Sequence, residues 1–375
     1  MNRKIKILQF TIASSLGGRT KYIFNIWRHI DKSRFQFDFV TFSEDIIFAN
    51  ELIKDGCEVY KIKNHPNIDM DEFIKEFRTI LDNKYDVIEI HTSYWESTIV
   101  EQLAKECGIH KIIIHGHSSG ISAGRTKNDR LSPEQLIEIH ERVKASLTSD
   151  IATDFWACSK EVSSWLFEPE IPGEKIKIVH NTIDTTRFKF SPEQQSSIRK
   201  LLGINESDIV LGFTGRLEPV KNVEFIIKIF SDIYQIYKRY KIVIVGDGSL
   251  RKELEDLCEN LKLTNAFIFV GRVENVEDYL QAMDIFLMPS FYEGFPISLL
   301  EAECAGVKCI VSNNITKEVN VLNDISYLPL DISEWVNEII KYGGNIDRSR
   351  CACKLREKGF DTESEIKNIQ DLYKQ

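Results

Sequence analysis

Short apolar runs alternate with amphipathic stretches along the first half of the chain. Each run suits a buried strand, and the stretches between the runs carry apolar residues at helical spacing. This alternation predicts a parallel sheet covered by helices. The predicted strands are 5–10, 37–41, 59–62, 87–91, 111–115, 155–158 and 176–180.

The same pattern starts again after a polar interruption at 191–197. With 375 residues and 43% hydrophobic content, the chain can bury two cores rather than one. We therefore predict two α/β domains of Rossmann-like type, over 1–190 and 191–356, with a boundary near 185–205. The second series of strands is expected near Ile209, Val243, Phe267, Ile285, Cys309 and Ser326.

The composition narrows the class of protein. Lys and Arg total 48 against 57 Asp and Glu, a formal net charge of −9, so no nucleic-acid partner is expected. The eight cysteines show no Cys-x2-Cys spacing, which argues against structural zinc and a disulfide scaffold. Lys6 and Gln9 interrupt the apolar N-terminus, which predicts a first strand rather than a signal peptide. No stretch approaches the roughly 20 apolar residues of a spanning helix. We expect a reduced, cytoplasmic protein.

Two carboxylates, Glu293 and Glu301, flank a predicted helix start that follows an apolar strand. Gly294 permits a sharp turn, and Pro296 suits the first helical position because its missing N–H costs nothing there. The backbone N–H groups of 295–298 would then be free to bind phosphate at the positive end of the helix dipole. A helix with an acidic first turn is the alternative for this pair taken alone.

Two cations follow the strand that opens the second half of the chain. That strand runs into Gly215, and Arg216 and Lys221 lie in the loop before an amphipathic helix at 223–237. An arginine fork and a lysine point charge at a strand end can bind a diphosphate. Two solvated cations beside a helix are the alternative.

A glycine turn ends the next predicted strand. Gly246 and Gly248 flank a single aspartate, and in a doubly wound sheet this turn would lie at the same edge as the two cations. A plain tight turn is the alternative. Arg272 follows the strand after that, at the same predicted edge.

Two further glycines follow the first predicted strand. Gly17 and Gly18 precede an amphipathic helix at 21–30, where glycine lets the backbone approach a phosphate or a sugar. A strand-to-helix turn that needs glycine is equally consistent with the spacing.

Two histidines, His115 and His117, close the fifth predicted strand. A histidine at this edge could hydrogen-bond a substrate hydroxyl, since its ordinary pKa allows either protonation state. A structural role is the alternative for both. Their spacing also suits a metal ion, but no carboxylate or cysteine cluster completes the set in the sequence, so no metal is expected.

These segments together resemble the retaining glycosyltransferases of the GT-B class, family 4 (group 1). Glu293 and Glu301 match that family's Glu-x7-Glu motif, and 215–222 is similar to its Gly-Arg-Leu-x-x-x-Lys-Asn segment. The resemblance implies a GT-B fold, in which two Rossmann-like domains face each other across a cleft. It also implies that the last helix, within 357–375, crosses back to the first domain.

The resemblance assigns roles to these residues. Arg216 and Lys221 would hold the diphosphate of a nucleotide sugar, Glu301 the ribose and Glu293 the hexose. The donor-binding residues expected from the family are Gly17, Gly18, Gly215, Arg216, Lys221, Gly246, Gly248, Arg272, Glu293, Gly294, Phe295, Pro296, Ile297, Ser298 and Glu301. The expected catalytic residues are Arg216, Lys221, Glu293 and His117.

Two positions depart from the family pattern. Thr182 stands where relatives usually carry Gly, and Lys308 stands where they usually carry Pro. Neither lies in the expected diphosphate site. The resemblance is strongest over 209–312.

The resemblance therefore implies an enzyme that moves a hexose from a nucleoside diphosphate sugar, with UDP as the family's commonest nucleotide, to a saccharide or lipid-linked oligosaccharide. Capsule or exopolysaccharide synthesis at the inner face of the cell membrane is the expected setting, with no metal or other cofactor. Two alternatives stay open: an isomerase resembling the UDP-N-acetylglucosamine 2-epimerase, and a protein that only binds nucleotide sugars. Hydride transfer is disfavoured, because neither half shows Gly-x-Gly-x-x-Gly after its first strand.

Overall fold

Each half of the chain folds around its own parallel β-sheet. The computed structural model describes residues 3–13, 17–44, 46, 48–121, 131–342 and 347–375. The first unit combines Met1–Ile121, Asp129–Asn181 and Glu365–Gln375, and the second contains Thr182–Ser364. Both units are α/β, as predicted.

The first unit contains, within its described residues, a seven-stranded sheet in the order β3-β2-β1-β4-β5-β6-β7. The strands are β1 (Ile5–Phe10), β2 (Phe35–Thr41), β3 (Val59–Lys61), β4 (Val87–Thr92), β5 (Lys111–Gly116), β6 (Asp154–Ala157) and β7 (Ile176–Ile178). The helices between them are α1 (Gly18–His29), α2 (Ala49–Lys54), α3 (Met70–Leu81), α4 (Ile99–Glu106), α5 (Pro133–Lys144) and α6 (Lys160–Leu166).

The second unit contains, over the part of the chain that is described, a six-stranded parallel sheet in the order β10-β9-β8-β11-β12-β13. The strands are β8 (Ile209–Thr214), β9 (Tyr240–Val245), β10 (Phe267–Gly271), β11 (Ile285–Met288), β12 (Lys308–Ser312) and β13 (Ile325–Leu328). The helices are α7 (Pro192–Leu201), α8 (Val223–Ile236), α9 (Arg251–Asn260), α10 (Val276–Ala282), α11 (Ile297–Cys304), α12 (Ile332–Lys341) and α13 (Cys351–Glu357).

The strand order reverses once in each sheet. The reversal lies between β1 and β4 in the first unit and between β8 and β11 in the second. At such a point the connections leave the sheet in opposite directions, which opens a crevice at the carboxyl ends of the strands. The fold thus marks one candidate position for a ligand in each unit.

The last helix, α14 (Thr362–Lys374), ends in the first unit. Near its end, Tyr373 is only 2% exposed and packs its ring against Phe37 and Trp156, with centroids 5.9 and 5.8 Å away. The return of the terminal helix to the first unit agrees with the expectation from the family resemblance.

Two helix starts differ from the predicted ones. Helix α1 begins at Gly18, three residues before the predicted start at 21. Helix α11 begins at Ile297, so the prediction that Pro296 is the first helical residue is wrong. Pro296 has ψ near 108° and is therefore extended, which makes it the residue that precedes the helix.

No helix among the described residues has both the length and the apolar character needed to cross a membrane.

Candidate active site

Four neighbouring strands of the second sheet end in the loops that carry the predicted residues. β8 runs into Arg216, β9 into Gly246, β10 into Arg272, and β11 into the turn that holds Glu293. These strands are adjacent in the order β10-β9-β8-β11, and the reversal between β8 and β11 lies among them. The sheet therefore brings residues from distant parts of the sequence to one edge, where ligands bind in doubly wound folds.

The loops after β8 and β9 touch through their backbones. The Leu217 N–H donates to the Asp247 carbonyl at 3.0 Å. A Cβ on Gly248 would lie 2.5 Å from the Leu217 oxygen, and one on Gly246 would lie 1.8 Å from the Gly215 oxygen. Both glycines are thus required by this close approach, which is a structural reason for them whatever the loops bind.

The loop after β8 is joined equally firmly to the loop after β11. The Phe291 N–H donates to the Val220 carbonyl at 2.9 Å, and the Asn222 side chain donates to the Pro289 carbonyl at 3.2 Å. Asn222 itself has φ of +53°, which asparagine tolerates better than most residues, and it precedes α8. These bonds fix the position of Lys221 between them.

Lys221 and Glu293 form an ion pair at this edge. The Lys221 ammonium contacts Glu293 Oε1, and the Ser290 hydroxyl donates to the same oxygen at 2.8 Å. The two charged side chains are only 17% and 14% exposed. Sequence reasoning missed Ser290 as a partner of Glu293, although it stands three residues before it in the same turn.

Arg216 differs from Lys221 in its surroundings. Its side chain is exposed at the end of β8, and it has no hydrogen bond or ion pair to any residue that the structure describes. A guanidinium in this state can turn toward an anionic ligand without first breaking a bond. Arg272, at the end of β10, is exposed as well.

The start of α11 carries the second predicted carboxylate. No side chain caps this helix, so the N–H groups of Ile297 and Ser298 lack partners within it. Phe295 is buried and stacks on Phe360, with centroids 5.9 Å apart. Glu301 lies in the second turn and is only 4% exposed. Gly294 is buried beside the turn.

A second set of polar side chains lies at the carboxyl ends of β4 and β5 in the first unit. His91 and His115 are register partners on these strands, and His117 follows two residues after His115. His91 Nδ1 lies 2.8 Å from His117 Nε2. One nitrogen from each of the three rings lies within 4.8 Å of the others, a spacing that could hold a metal ion.

Two more residues complete this cluster, and sequence reasoning missed them. Gln9 on β1 and Glu89 on β4 are register partners, and their side chains join at 3.0 Å. The available signal was the alternation in β4, where the polar Glu89 and His91 flank Ile90 and follow two apolar residues. Of the two predicted histidines, His115 is fully buried and His117 is 9% exposed.

The charges in this cluster follow from burial and hydrogen bonding. Burial lowers the pKa of His91 to about 3 and that of His117 well below its ordinary value. Burial alone would raise the pKa of Glu89, but the hydrogen bonds from His115 and Tyr373 act in the opposite direction, and that pKa is lowered overall. At neutral pH the cluster thus holds a carboxylate and neutral imidazoles at positions 91 and 117.

Gly17 and Gly18 lie at the start of α1, near this cluster. A Cβ on either would meet no atom within 4 Å, so protein packing does not demand glycine at either position. Arg19 donates to the His91 carbonyl at 3.4 Å. The described residues therefore leave the space at the first positions of α1 unfilled.

A cavity of about 630 Å³ lies at the opposite edge of the first sheet. It is lined by the first residues of β1, β4 and β5, and Lys111 and Lys177 in its wall both pair with Asp154, at 2.9 and 3.0 Å. It contains none of the predicted site residues. Because Lys111 and Lys177 are already paired with a carboxylate and no predicted site residue lines the cavity, we do not regard it as the active site.

Comparison with known proteins identifies the second unit. Residues 194–326 match the family of glycosyl transferases group 1. This stretch is a group 1 glycosyltransferase domain, and the chain is a glycosyltransferase.

Two relatives align with most of the length of the glycosyltransferase. It is 25% identical to EpsF of Bacillus subtilis (strain 168), a protein named as a glycosyltransferase, over 98% of this chain and 96% of EpsF. It is also 25% identical, over 81% of this chain and 79% of the relative, to the UDP-Gal:alpha-D-GlcNAc-diphosphoundecaprenol alpha-1,3-galactosyltransferase of Escherichia coli.

Solved structures establish the fold of the glycosyltransferase. HepE of Anabaena, crystallised with UDP and glucose, superposes with a TM-score of 0.77 at 20% identity, covering 98% of this chain and 99% of HepE. WaaG, a glycosyltransferase of lipopolysaccharide biosynthesis, gives 0.74 at 17% identity over 98% and 99%. The predicted GT-B fold class is confirmed.

Proposed function

We propose that this glycosyltransferase moves a hexose from a UDP-linked donor to a saccharide acceptor with retention of anomeric configuration. One observation carries the proposal: the adjacent strands β8 and β11 bring Arg216, Lys221, Glu293 and the start of α11 to a single sheet edge. That edge offers cations for a diphosphate, N–H groups for its oxygens, and carboxylates for hydroxyls. HepE, which shares the fold, was crystallised with UDP and with UDP-glucose.

Each residue has a proposed role. Arg216 binds the diphosphate with its unpaired guanidinium, and the N–H groups of Ile297 and Ser298 donate to the same group. Glu301 accepts from the ribose hydroxyls and Glu293 from the hexose hydroxyls. Lys221 pairs with Glu293 in the resting enzyme and faces the growing charge of the diphosphate as it leaves.

The reaction then needs no other charged group. The bond between the anomeric carbon and the diphosphate breaks, and the acceptor oxygen bonds to the same face of that carbon. The acceptor's hydroxyl proton passes to the leaving diphosphate. Since the diphosphate charge rises as the bond breaks, fixed cations accelerate the step by stabilising the transition state more than the bound donor. No metal takes part in this proposal.

The acceptor we propose is a lipid-linked saccharide, which the enzyme extends during synthesis of a capsule or exopolysaccharide at the inner face of the cell membrane. Support comes from the Escherichia coli relative, whose name specifies a diphosphoundecaprenol-linked sugar as acceptor. His117 would hydrogen-bond a hydroxyl of the transferring sugar or of the acceptor. Gly17 and Gly18 would leave room for the ligand beside it.

The first test is thermal stabilisation of the purified protein by UDP, GDP, ADP and their sugars. A ligand that binds only the native state raises the melting temperature by mass action. We expect UDP and its sugars to shift the transition, and GDP and ADP to shift it little. A shift with GDP or ADP alone would show that the donor carries a base other than uracil. No shift with any nucleotide would refute the proposal. If UDP-N-acetylglucosamine is converted without an acceptor to an isomeric UDP-sugar, with no release of UDP, the enzyme is an isomerase instead.

A further inference from the structure

Which ring nitrogen of His117 carries the proton determines whether this residue can accept a hydrogen bond from a substrate. A neutral imidazole has one N–H, which donates, and one bare nitrogen, which accepts. A histidine that meets a substrate hydroxyl through its bare nitrogen accepts the hydroxyl's proton in a hydrogen bond. One that meets the hydroxyl through its N–H cannot do so. The hydrogen bonds below His117 determine which of the two is present.

The chain of bonds begins at Glu89. Its carboxylate accepts from Gln9 Nε2 at 3.0 Å, from His115 Nδ1 at 2.8 Å and from the Tyr373 hydroxyl. A carboxylate has no proton to donate, so the amide NH2 of Gln9 must face it. The amide oxygen of Gln9 therefore faces away from Glu89, toward the His91 ring. Glu89 in this way sets the orientation of the Gln9 amide.

The orientation of Gln9 then fixes the proton on His91. Gln9 Oε1 lies 2.5 Å from His91 Nε2, and an amide oxygen only accepts, so His91 Nε2 must carry the proton. Because burial lowers the pKa of His91 to about 3, the ring is neutral at neutral pH and its Nδ1 is bare. His91 is thus an acceptor toward its next neighbour.

That neighbour is His117. Its Nε2 lies 2.8 Å from the bare Nδ1 of His91, so Nε2 of His117 must donate. Burial also keeps the His117 ring neutral by lowering its pKa. Its Nδ1 is consequently the bare nitrogen. This atom is buried and has no hydrogen-bond partner among the described residues.

We propose that Gln9 and His91, oriented by Glu89, are positioning residues that hold His117 in its Nε2–H tautomer and present Nδ1 as a hydrogen-bond acceptor for a substrate hydroxyl. The role toward a hydroxyl rests on the function proposed above. The tautomers follow from the hydrogen bonds alone. His117 in this state accepts a hydrogen bond and supplies no proton to a leaving group.

The tautomers can be measured directly, without substrate. The purified full-length protein is labelled with 15N in the histidine rings, and long-range proton–nitrogen correlation spectra distinguish protonated from bare ring nitrogens. The eight histidines are assigned by single His→Gln variants. We expect protonated Nε2 and bare Nδ1 for both His91 and His117, and a protonated Nδ1 for His115. A protonated Nδ1 on His117 or His91 would overturn the proposal.

The same spectra test the competing possibility of a metal ion. The three rings are close enough to hold one, and a metal would occupy nitrogens that the proton chain needs. We expect a chelator to leave the spectra unchanged. Ring nitrogens that shift on chelation, and shift back with Zn²⁺, would show a metal centre and contradict the chain of protons.

Gln9→Met removes the acceptor for His91 and keeps a side chain of similar length. Without Gln9, nothing favours one tautomer of His91, so His117 should occupy its competent form no more than about half the time. We expect mixed tautomers in the spectra, a kcat reduced at least about twofold, and an unchanged response to UDP. Gln102→Met on the exposed face of α4 is the matched control and should change none of these.

The outcomes separate this inference from the proposed function. If UDP fails to bind the wild-type protein while the tautomers are as expected, the function is wrong and the proton chain stands. If UDP binds and Gln9→Met leaves both tautomers and kcat unchanged, the positioning role is wrong. Should Gln9→Met fail to fold, the wild-type spectra still decide the tautomers.

Discussion

Adding one methyl group at Gly248 should disturb the candidate donor site through sterics alone. The Cβ of Gly248→Ala would lie 2.5, 2.6 and 2.7 Å from the oxygen, nitrogen and carbon of the Leu217 backbone. Ordinary contact begins at 3.4 Å, so the loops after β8 and β9 must separate by about 0.9 Å. The backbone angle at Gly248 is not in the left-handed region, so alanine introduces no strain of that kind.

The loss of stability in Gly248→Ala depends on how easily the Leu217 backbone can move away from the new methyl group. A side chain could rotate away from the new methyl group, but Leu217 meets it with main-chain atoms held by the hydrogen bond to Asp247. Overpacking of this type costs about 1–3 kcal/mol of unfolding free energy. The displaced loop carries Arg216, so we also expect weaker UDP binding.

Urea unfolding of the second unit measures the change in unfolding free energy that Gly248→Ala causes. Trp335 is a fully buried tryptophan of that unit, and 19F NMR of protein labelled with 5-fluorotryptophan gives it a separate signal. Ser197→Ala, at an exposed position of α7 in the same unit, is the control, and it should change the unfolding free energy by no more than about 0.5 kcal/mol. If Gly248→Ala is as stable as Ser197→Ala, the two loops do not pack as described.

Two further predictions concern carboxylates. Ser290→Ala removes the hydroxyl that donates to Glu293 at 2.8 Å. One hydrogen bond contributes about 0.5–1.5 kcal/mol, so kcat should fall about twofold to tenfold while UDP affinity stays unchanged. Steady-state kinetics and calorimetry test these two expectations. Burial raises the pKa of Glu101 to about 7, above its ordinary value, so the unfolded chain releases this proton first as pH rises. The stability from Glu101 is therefore complete below about pH 4 and falls by up to about 3 kcal/mol as pH rises through 7. Glu101→Gln should flatten the decline between pH 5 and 8 in denaturant titrations, and an unaltered slope would refute the assignment.

Much of the fold could be predicted from the sequence because local patterns encode it. Buried strands of a parallel sheet are continuous apolar runs, and the runs near Ile209 and Ile285 became β8 and β11. The start of α11 was misplaced by one residue, because the φ of proline suits both the first helical position and the residue before it. Only the ψ angle of Pro296 separates the two, and the sequence does not encode it locally.

The polar cluster of the first unit shows what the sequence pattern could not supply. Gln9, Glu89 and His117 are far apart along the chain, and their contacts depend on the order and register of β1, β4 and β5. A shift of one residue in any of these strands would turn its polar side chains to the other face of the sheet. Gln9 therefore served in the sequence only as an interruption of an apolar run, whereas in the fold it orients a histidine.

Calorimetric titration of UDP into three proteins decides whether the edge of the second sheet binds the diphosphate of a UDP-linked donor. Arg216→Ala removes an exposed side chain without a described partner, so the fold should be unaffected. A charge-assisted hydrogen bond contributes about 1.5–3 kcal/mol, so the Kd of UDP should rise about tenfold to hundredfold. Arg239→Ala, an exposed arginine just before β9 at the opposite edge, should bind UDP like the wild type. Equal affinities in all three proteins would contradict the account.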